Sequence, residues 1–460
     1  MAIDTLLFQA LTHAREGQLD LAEPLLWQIL AVEPQHPIAG LELARALILG
    51  NRFDAAIGVL DPLTLAPHCD AEVHRRLALA HSFADRKSVA IQHYRCALEL
   101  EPGDGKVLHS IANLEQALGL ADQAALTFRQ AVQAQPLWTM PALVSPPQFR
   151  VLWMFAPGAG NTPPDYFIAN AHFESHIFTV LNEIEYDIEL LRRHTDVIVN
   201  LVSDVDRSRA ILGTVAALVQ RIGKPVINPP RSIFGTDRAS VAARLAGTPG
   251  CIVPHTRTFS KAQLRQAAGT REAAPLTFPL LVRPAGTHGG DDFDKLDDRA
   301  QLDAFLNCPG DSLYYATPFI DYRSADGYFR KYRFIYVGDE ILPYHLAIDD
   351  KWKVHHASTS MADFPWMQHE EQAFLDDPWR VFGESQHAAL RAIRHAIGLD
   401  YFGIDCALTG AGELVVFEVN ATMRVHGKNE CFAYKDHAVA RIKLAFHSLL
   451  ERAAHGAAIP

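Results

Sequence analysis

Near its carboxyl end the chain reads LDYFGIDCALTGAGELVVFEVNATM, two apolar runs on either side of a glycine-rich turn, which is the pattern of a β-hairpin. A tight turn centred on Ala411-Gly412 predicts Asp405 directly opposite Glu418, and strand alternation puts Asn420 on the same face as Glu418. Two carboxylates and an amide on one face of an otherwise apolar hairpin are costly to bury unless something neutralises them. Hard oxygen donors of this kind suit Mg²⁺, which keeps several waters and completes its shell from substrate phosphates. Asp405, Glu418 and Asn420 are therefore the candidate metal ligands. The alternative is an acidic hairpin with solvated charges, but Glu418 stands between Phe417 and Val419 in a run too apolar for a solvated strand.

The Asp, the Glu thirteen residues later and the Asn two beyond it resemble the metal-binding signature of ATP-grasp ligases, among them D-alanine–D-alanine ligase and the glutamate ligases that modify proteins. Further segments match that family in order over roughly residues 150–430. VINPPRSIFGTDRASVAARLAG is similar to the stretch before the family's first nucleotide-binding basic residue, which the resemblance places at Arg238. FPLLVRPAGTHGG resembles the strand and phosphate loop, with Arg283 where the family has lysine. There Gly286, Gly289 and Gly290 would let backbone N–H groups approach phosphate oxygens while Arg283 supplies charge. YYATPFID resembles the hinge strand that pairs with adenine, implying contacts at Thr317, Phe319 and Ile320. RKYRFIYVGDEILPYH resembles the strand pair carrying a catalytic-side arginine, implied at Arg333, whose guanidinium would hold a phosphate.

The resemblance implies ATP and Mg²⁺ as cofactors and an ADP-forming reaction, in which a carboxylate is activated as an acyl phosphate and attacked by an amine. Two departures stand out. Both customary lysines are arginines, which keep the charge but change reach and geometry. The D-alanine ligase branch carries an arginine two residues before the metal-binding aspartate, and here that position is Gly403. Arg424 and Arg330 are the candidate replacements. Arg330, Lys331, Lys351, Lys353, His355 and His356 otherwise read as a solvated loop. Two other readings stay open: a catalytically inactive interaction scaffold, and a small-molecule kinase.

The elements that would position these residues emerge from periodicity. RVLWMFAP is a buried strand followed by the turn GAGNTPP, and a helical segment leads to a second strand, DVIVNLV. RSRAILGTVAALVQRIG is a helix closed by Gly223, and KPVINPP is a short strand ended by prolines. This alternation indicates a small parallel sheet. The GAG at Gly158–Gly160 lacks the third glycine of a dinucleotide fingerprint and reads as a turn at the carboxyl end of a strand.

Ahead of this region small residues recur every 34 positions: Ala22, Ala56, Ala90 and Ala124 form one column, Ala10, Ala44, Ala78 and Ala112 another. Leu26, Tyr94 and Phe128 stand one helical turn after three of the alanines, and Pro34, Pro67, Pro102 and Pro136 close the units. The pattern resembles tetratricopeptide (TPR) repeats. A peptide or partner protein is the expected occupant of such an array, with a structural or dimerising role as the alternative.

The expected fold is α + α/β. A TPR α-solenoid of four repeats over 1–136 leads through a Pro-rich linker at 137–148 to a pre-ATP-grasp α/β lobe at 149–229 and an ATP-grasp domain at 230–455. A net charge of −11 without a long run of like charges argues against nucleic acid or an anionic membrane as partner. The N-terminus has no secretory pattern, no stretch is apolar enough to span a bilayer, and the six cysteines are scattered without a CxxC pair. A cytoplasmic location with reduced thiols is the expectation.

Overall fold

The computed structural model describes residues 3–66, 69–158, 160–268, 276–285, 293–307, 313–354, 359–427, 429 and 431–456. The chain separates into two compact units, Met1–Leu137 and Trp138–Pro460.

In the first unit the described residues form four helix pairs: α1 Ile3–Arg15 with α2 Leu19–Val32, α3 Pro37–Leu49 with α4 Phe53–Leu60, α5 Ala71–Phe83 with α6 Lys87–Leu100, and α7 Gly105–Ala117 with α8 Ala121–Ala134. Both alanine columns are buried, each residue at 3% exposure or less, so every pair crosses on methyl groups where a larger side chain would force the helices apart. Leu26, Tyr94 and Phe128 are also buried beside them. Asp70 and Asp104 cap α5 and α7 by accepting from the backbone N–H groups of Val73 and of Lys106 and Val107. Pro34, Pro102 and Pro136 each lie two residues beyond the end of α2, α6 and α8. Pro67 lies outside the described residues.

The described residues of the second unit form three sheets. Its strands are β1 Leu137–Met140, β2 Arg150–Phe155, β3 Glu174–Thr179, β4 Val197–Asn200, β5 Val226–Ile227, β6 Cys251–Ile252 and β7 Arg257–Phe259 in the first half. The second half adds β8 Leu280–Pro284, β9 Asp294–Leu296, β10 Tyr314–Pro318, β11 Phe329–Val337, β12 Glu340–Asp349, β13 Tyr401–Leu408 and β14 Leu414–Asn420. The sheet orders are β1-β3-β2-β4-β5, β7-β10-β8-β9 and β12-β11-β13-β14-β6. Neighbours among β2 to β5 are parallel, whereas all pairs of the four-stranded sheet are antiparallel.

Two expectations need revision here. The stretch between the strands at Arg150 and Val197 is not simply helical, because β3 lies within it and pairs in parallel with β2. Polar Glu174, Ser175 and His176 obscured the strand pattern of ESHIFT. The proline-rich connector also starts as structure, since β1 occupies the edge beside β3 before the prolines begin.

The helix Val205–Ile222 is capped by Asp204 and ends at Gly223, whose φ of 70° is the left-handed conformation that glycine adopts without strain. Gly160 packs against this cap. A Cβ on Gly160 would sit 2.4 Å from that of Asp204, so glycine is required by the close approach.

No break in packing separates the parallel sheet from the chain beyond residue 229. Val151, Trp153 and Phe167 share one core with Ile335, Tyr401 and the helix Asp436–Ala454, through Val439, Phe446 and Leu450. Asn228 fastens the same junction. Its side-chain oxygen accepts from the backbone of Asp400 and Tyr401 at 2.8 and 3.0 Å, and its amide donates to the Tyr401 carbonyl at 2.6 Å. The four-stranded sheet has its own core, built on Leu280, Val282, Leu302 and Ala316. Among the described residues no helix is long and apolar enough to cross a membrane.

Candidate active site

The hairpin β13–β14 pairs Asp405 with Glu418 and Gly403 with Asn420. This register is the one the sequence predicts, but a further feature produces it. Near the tip Leu408 faces Leu414 and Cys406 faces Val416, and a bulge at Phe417 shifts the pairing by one residue. Without that extra residue Glu418 would fall opposite Ile404 and point to the other face of the sheet. On the neighbouring strand Arg333 lies opposite Asp405. Lys331, two residues away, shares its face.

Every charged group of this face has a partner. Arg333 donates to Asp405 through Nε at 2.6 Å and Nη2 at 2.9 Å, and Lys331 Nζ lies 3.2 Å from the same carboxylate. Burial pushes Asp405 toward the neutral acid, but Arg333 and Lys331 outweigh it and hold the carboxyl well below the usual range. Arg333 is affected in the reverse sense: burial lowers its pKa and the Asp405 charge more than restores it. Arg238, the first residue of the helix Arg238–Leu245, donates through Nη2 to Glu418 Oε1 at 2.8 Å. The Asn420 side-chain oxygen accepts from the N–H and hydroxyl of Thr422 at 2.7 and 2.6 Å.

Facing these groups across a cavity of about 360 Å³ are residues of the four-stranded sheet and its flanks. Arg283 on β8 and Tyr315 on β10 are register partners, and the Arg283 guanidinium lies 5.5 Å from the Phe293 ring centroid. Tyr315 donates its hydroxyl to Asp206 at 3.1 Å. Thr317, Phe319 and Ile320 line the wall. The Thr317 hydroxyl oxygen is buried without a hydrogen-bond partner among the described residues. Beside them Trp352 makes edge contacts with Phe293 and Phe319, at centroid distances of 5.7 and 5.9 Å. Among the described residues, Arg238, Arg283, Lys331, Arg333 and Lys353 line the cavity against Asp405 and Glu418. In a chain of net charge −11 this local cationic excess suits a polyanion.

The structure thus gathers Arg238, Arg283, Thr317, Phe319, Ile320, Arg333, Asp405, Glu418 and Asn420 around one cavity. Arg424 is not among them and is exposed. Arg330 is engaged by Asp326 and Glu370, at 2.7 and 2.5 Å. Gly286, Gly289 and Gly290 lie outside the described residues, as do His355 and His356. Sequence reasoning missed Lys331, which stands on β11 and lines the cavity, whereas Lys353 is exposed on the segment after β12, as a solvated loop would have it, and also borders the cavity. For Lys331 a signal was present, since a cation two residues from Arg333 on a strand must share its face.

A second charged centre adjoins the site. His345, opposite Arg333 on β12, contacts Glu371, which is fully buried and also accepts from the Leu346 backbone, the Tyr434 hydroxyl and Lys435. Burial raises the Glu371 pKa, but the His345 hydrogen bond and the nearby charges bring it down to about 2. This ionised centre braces the strand next to Arg333.

Comparison with known proteins reaches the first unit. The tetratricopeptide repeat family matches residues 13–80. The N-terminal unit carries TPR repeats. Solved structures similar to the chain include MamA residues 41 to the end from Desulfovibrio magneticus RS-1, 19% identical over 29% of this chain and 76% of that one, with a TM-score of 0.28. Another is MamA AMB-1, 26% identical over 29% of this chain and 73% of that one, also with a TM-score of 0.28. No curated protein matches the chain. TPR arrays present surfaces for protein partners, and a role in protein interaction follows for this unit.

Proposed function

We propose that the second unit is an ATP-dependent carboxylate–amine ligase of the ATP-grasp type, and that the TPR array holds its peptide or protein substrate. The observation that carries this reading is the cavity. Five basic side chains converge on one volume with two carboxylates and an amide aligned on adjacent strands, and Thr317, Phe293, Phe319 and Trp352 line the same volume. Its volume falls in the range of small-molecule sites. The residues fit a nucleotide and a divalent ion: Asp405, Glu418 and Asn420 would hold Mg²⁺, and Arg238, Arg283, Lys331 and Arg333 the phosphates. Mg²⁺ would supply neutralisation of phosphate charge. The chain's own part is to align the carboxylate with the γ-phosphate, exclude water between the two sheets, and stabilise charge on the transferred group through Arg333. No nucleophilic side chain is needed, because the carboxylate attacks phosphorus and the amine then displaces phosphate from the acyl carbon.

A second reading is a TPR interaction scaffold whose cavity performs no chemistry. Two observations favour it: the family match is confined to the repeats, and both cavity carboxylates are already neutralised by protein cations. Incubating the full chain with ATP, Mg²⁺ and a cell extract separates the readings. ADP together with a new amide product by mass spectrometry supports the ligase. ADP with a phosphorylated product identifies a kinase, and absence of ADP formation supports the scaffold.

A further inference from the structure

Away from the cavity, at the start of β3, lie Glu174, His176 and His194. Glu174 and His176 are two residues apart on one strand and therefore share a face. His194 is the first residue beyond the helix Ile188–Arg193, which turns its ring edge toward His176 at a centroid distance of 5.0 Å. His176 Nε2 lies 2.9 Å from Glu174 Oε1. One donor atom from each of the three residues falls within 4.8 Å of the other two.

We propose that Glu174, His176 and His194 form a Zn²⁺ site. Two imidazoles and one carboxylate are a donor set that Zn²⁺ accepts, in a tetrahedron whose fourth position is left to water. With Zn–ligand bonds of about 2.0–2.2 Å, tetrahedral donors stand roughly 3.3 Å apart. The present spacing closes to that by small side-chain rotations of the half-buried Glu174 and His194, while the buried His176 stays fixed. Outer contacts favour the arrangement. His176 Nδ1 lies 3.0 Å from Thr139 Oγ1, a hydroxyl that can accept its proton, so Nε2 would become the ligand once an ion takes the place of the hydrogen between Nε2 and Glu174. Arg150, the register partner of Glu174, is engaged by Asp196 at 3.0 and 2.9 Å, which offsets the nearest positive charge. The ion would tie the end of the Ile188–Arg193 helix to the outer part of the parallel sheet.

The test uses the full chain, stripped with a chelator and titrated with Zn²⁺ alone, alongside Co²⁺ as a spectroscopic probe. The expected result is one tight equivalent of Zn²⁺, visible bands of tetrahedral Co²⁺, and a higher Tm with Zn²⁺ present. Glu174→Gln and His194→Ala, both at half-buried positions, should lose that equivalent and its Co²⁺ bands, and Thr139→Val should weaken it about tenfold. Glu418→Gln, in the separate cavity, should retain it. The proposal is overturned if the wild-type chain takes up no Zn²⁺ at micromolar concentration. It is equally overturned if Glu174→Gln and His194→Ala, shown folded by circular dichroism, bind Zn²⁺ and Co²⁺ as the wild type does.

Discussion

Replacing Glu418 by Gln keeps side-chain volume and removes one charge, and the structure allows both consequences to be sized. The Glu418 side chain is 28% exposed, that of its partner Arg238 is 23% exposed, and a single hydrogen bond of 2.8 Å joins them. A half-buried pair joined by one hydrogen bond contributes roughly 1 kcal/mol, so Tm should fall by no more than about 2–4 °C. The effect on turnover should be far larger. A metal ligand acts most strongly when charge shifts on the transferring phosphoryl group, and losing about 3 kcal/mol of that stabilisation slows the reaction roughly a hundredfold. ATP affinity should change less than rate, because the ground state depends less on the metal. Glu418 is a better probe than Asp405, whose neutralisation would strand Arg333 and Lys331 and confuse stability with chemistry. The assay is ADP release with the substrate pair found in extract, beside thermal melting of both proteins. Wild-type turnover in Glu418→Gln would refute the metal assignment. A large drop in Tm would refute the argument from exposure.

Three further outcomes are expected. ATP with Mg²⁺ at a hundred times its Kd should stabilise the second unit by about 2.7 kcal/mol, seen as a raised Tm, with calorimetry as the check for binding. Asp405→Asn should cost about 3–5 kcal/mol, because two half-buried cations lose the counter-charge that the buried Asp405 supplies. The Asp405 pKa is depressed in the folded state, so its contribution is complete above about pH 4 and declines as the medium is made more acidic; chemical denaturation at pH 7 and pH 3 should show the gap between wild type and variant narrowing. A chain beginning at Trp138 should bind ATP as the full chain does, since each unit has cores of its own. One beginning at Phe149 loses β1 from the sheet edge and should melt lower.

The features legible in the sequence were those that repeat or lie close along the chain. The alanine columns betray four helix pairs because each pair solves the same crossing problem at the same spacing. The hairpin places Asp405 against Glu418 across a short turn, although the bulge at Phe417 that secures this leaves no plain mark in an apolar run. Long-range pairings were not legible: nothing near Arg238 announces Glu418, and nothing near Arg333 announces Asp405. Strand β3 was hidden because Glu174 and His176 turn to polar partners where a buried strand ordinarily shows aliphatic side chains. Lys331 carries solvated-loop chemistry in sequence, and only its place on β11 beside Asp405 brings it to the cavity.

For the nucleotide and divalent ion proposed above, the ion pairs within the cavity would set a rule of entry. A lone polyanion that draws Arg333 and Lys331 away leaves the buried Asp405 charge uncompensated, and a lone divalent ion seated on Asp405 leaves two cations repelling it. Arriving together, the two visitors trade partners with the protein as salts do in a double exchange, and no charge is left bare at any stage. Occupancy by one is thereby a thermodynamic prerequisite for tight occupancy by the other, with the coupling equal in both directions.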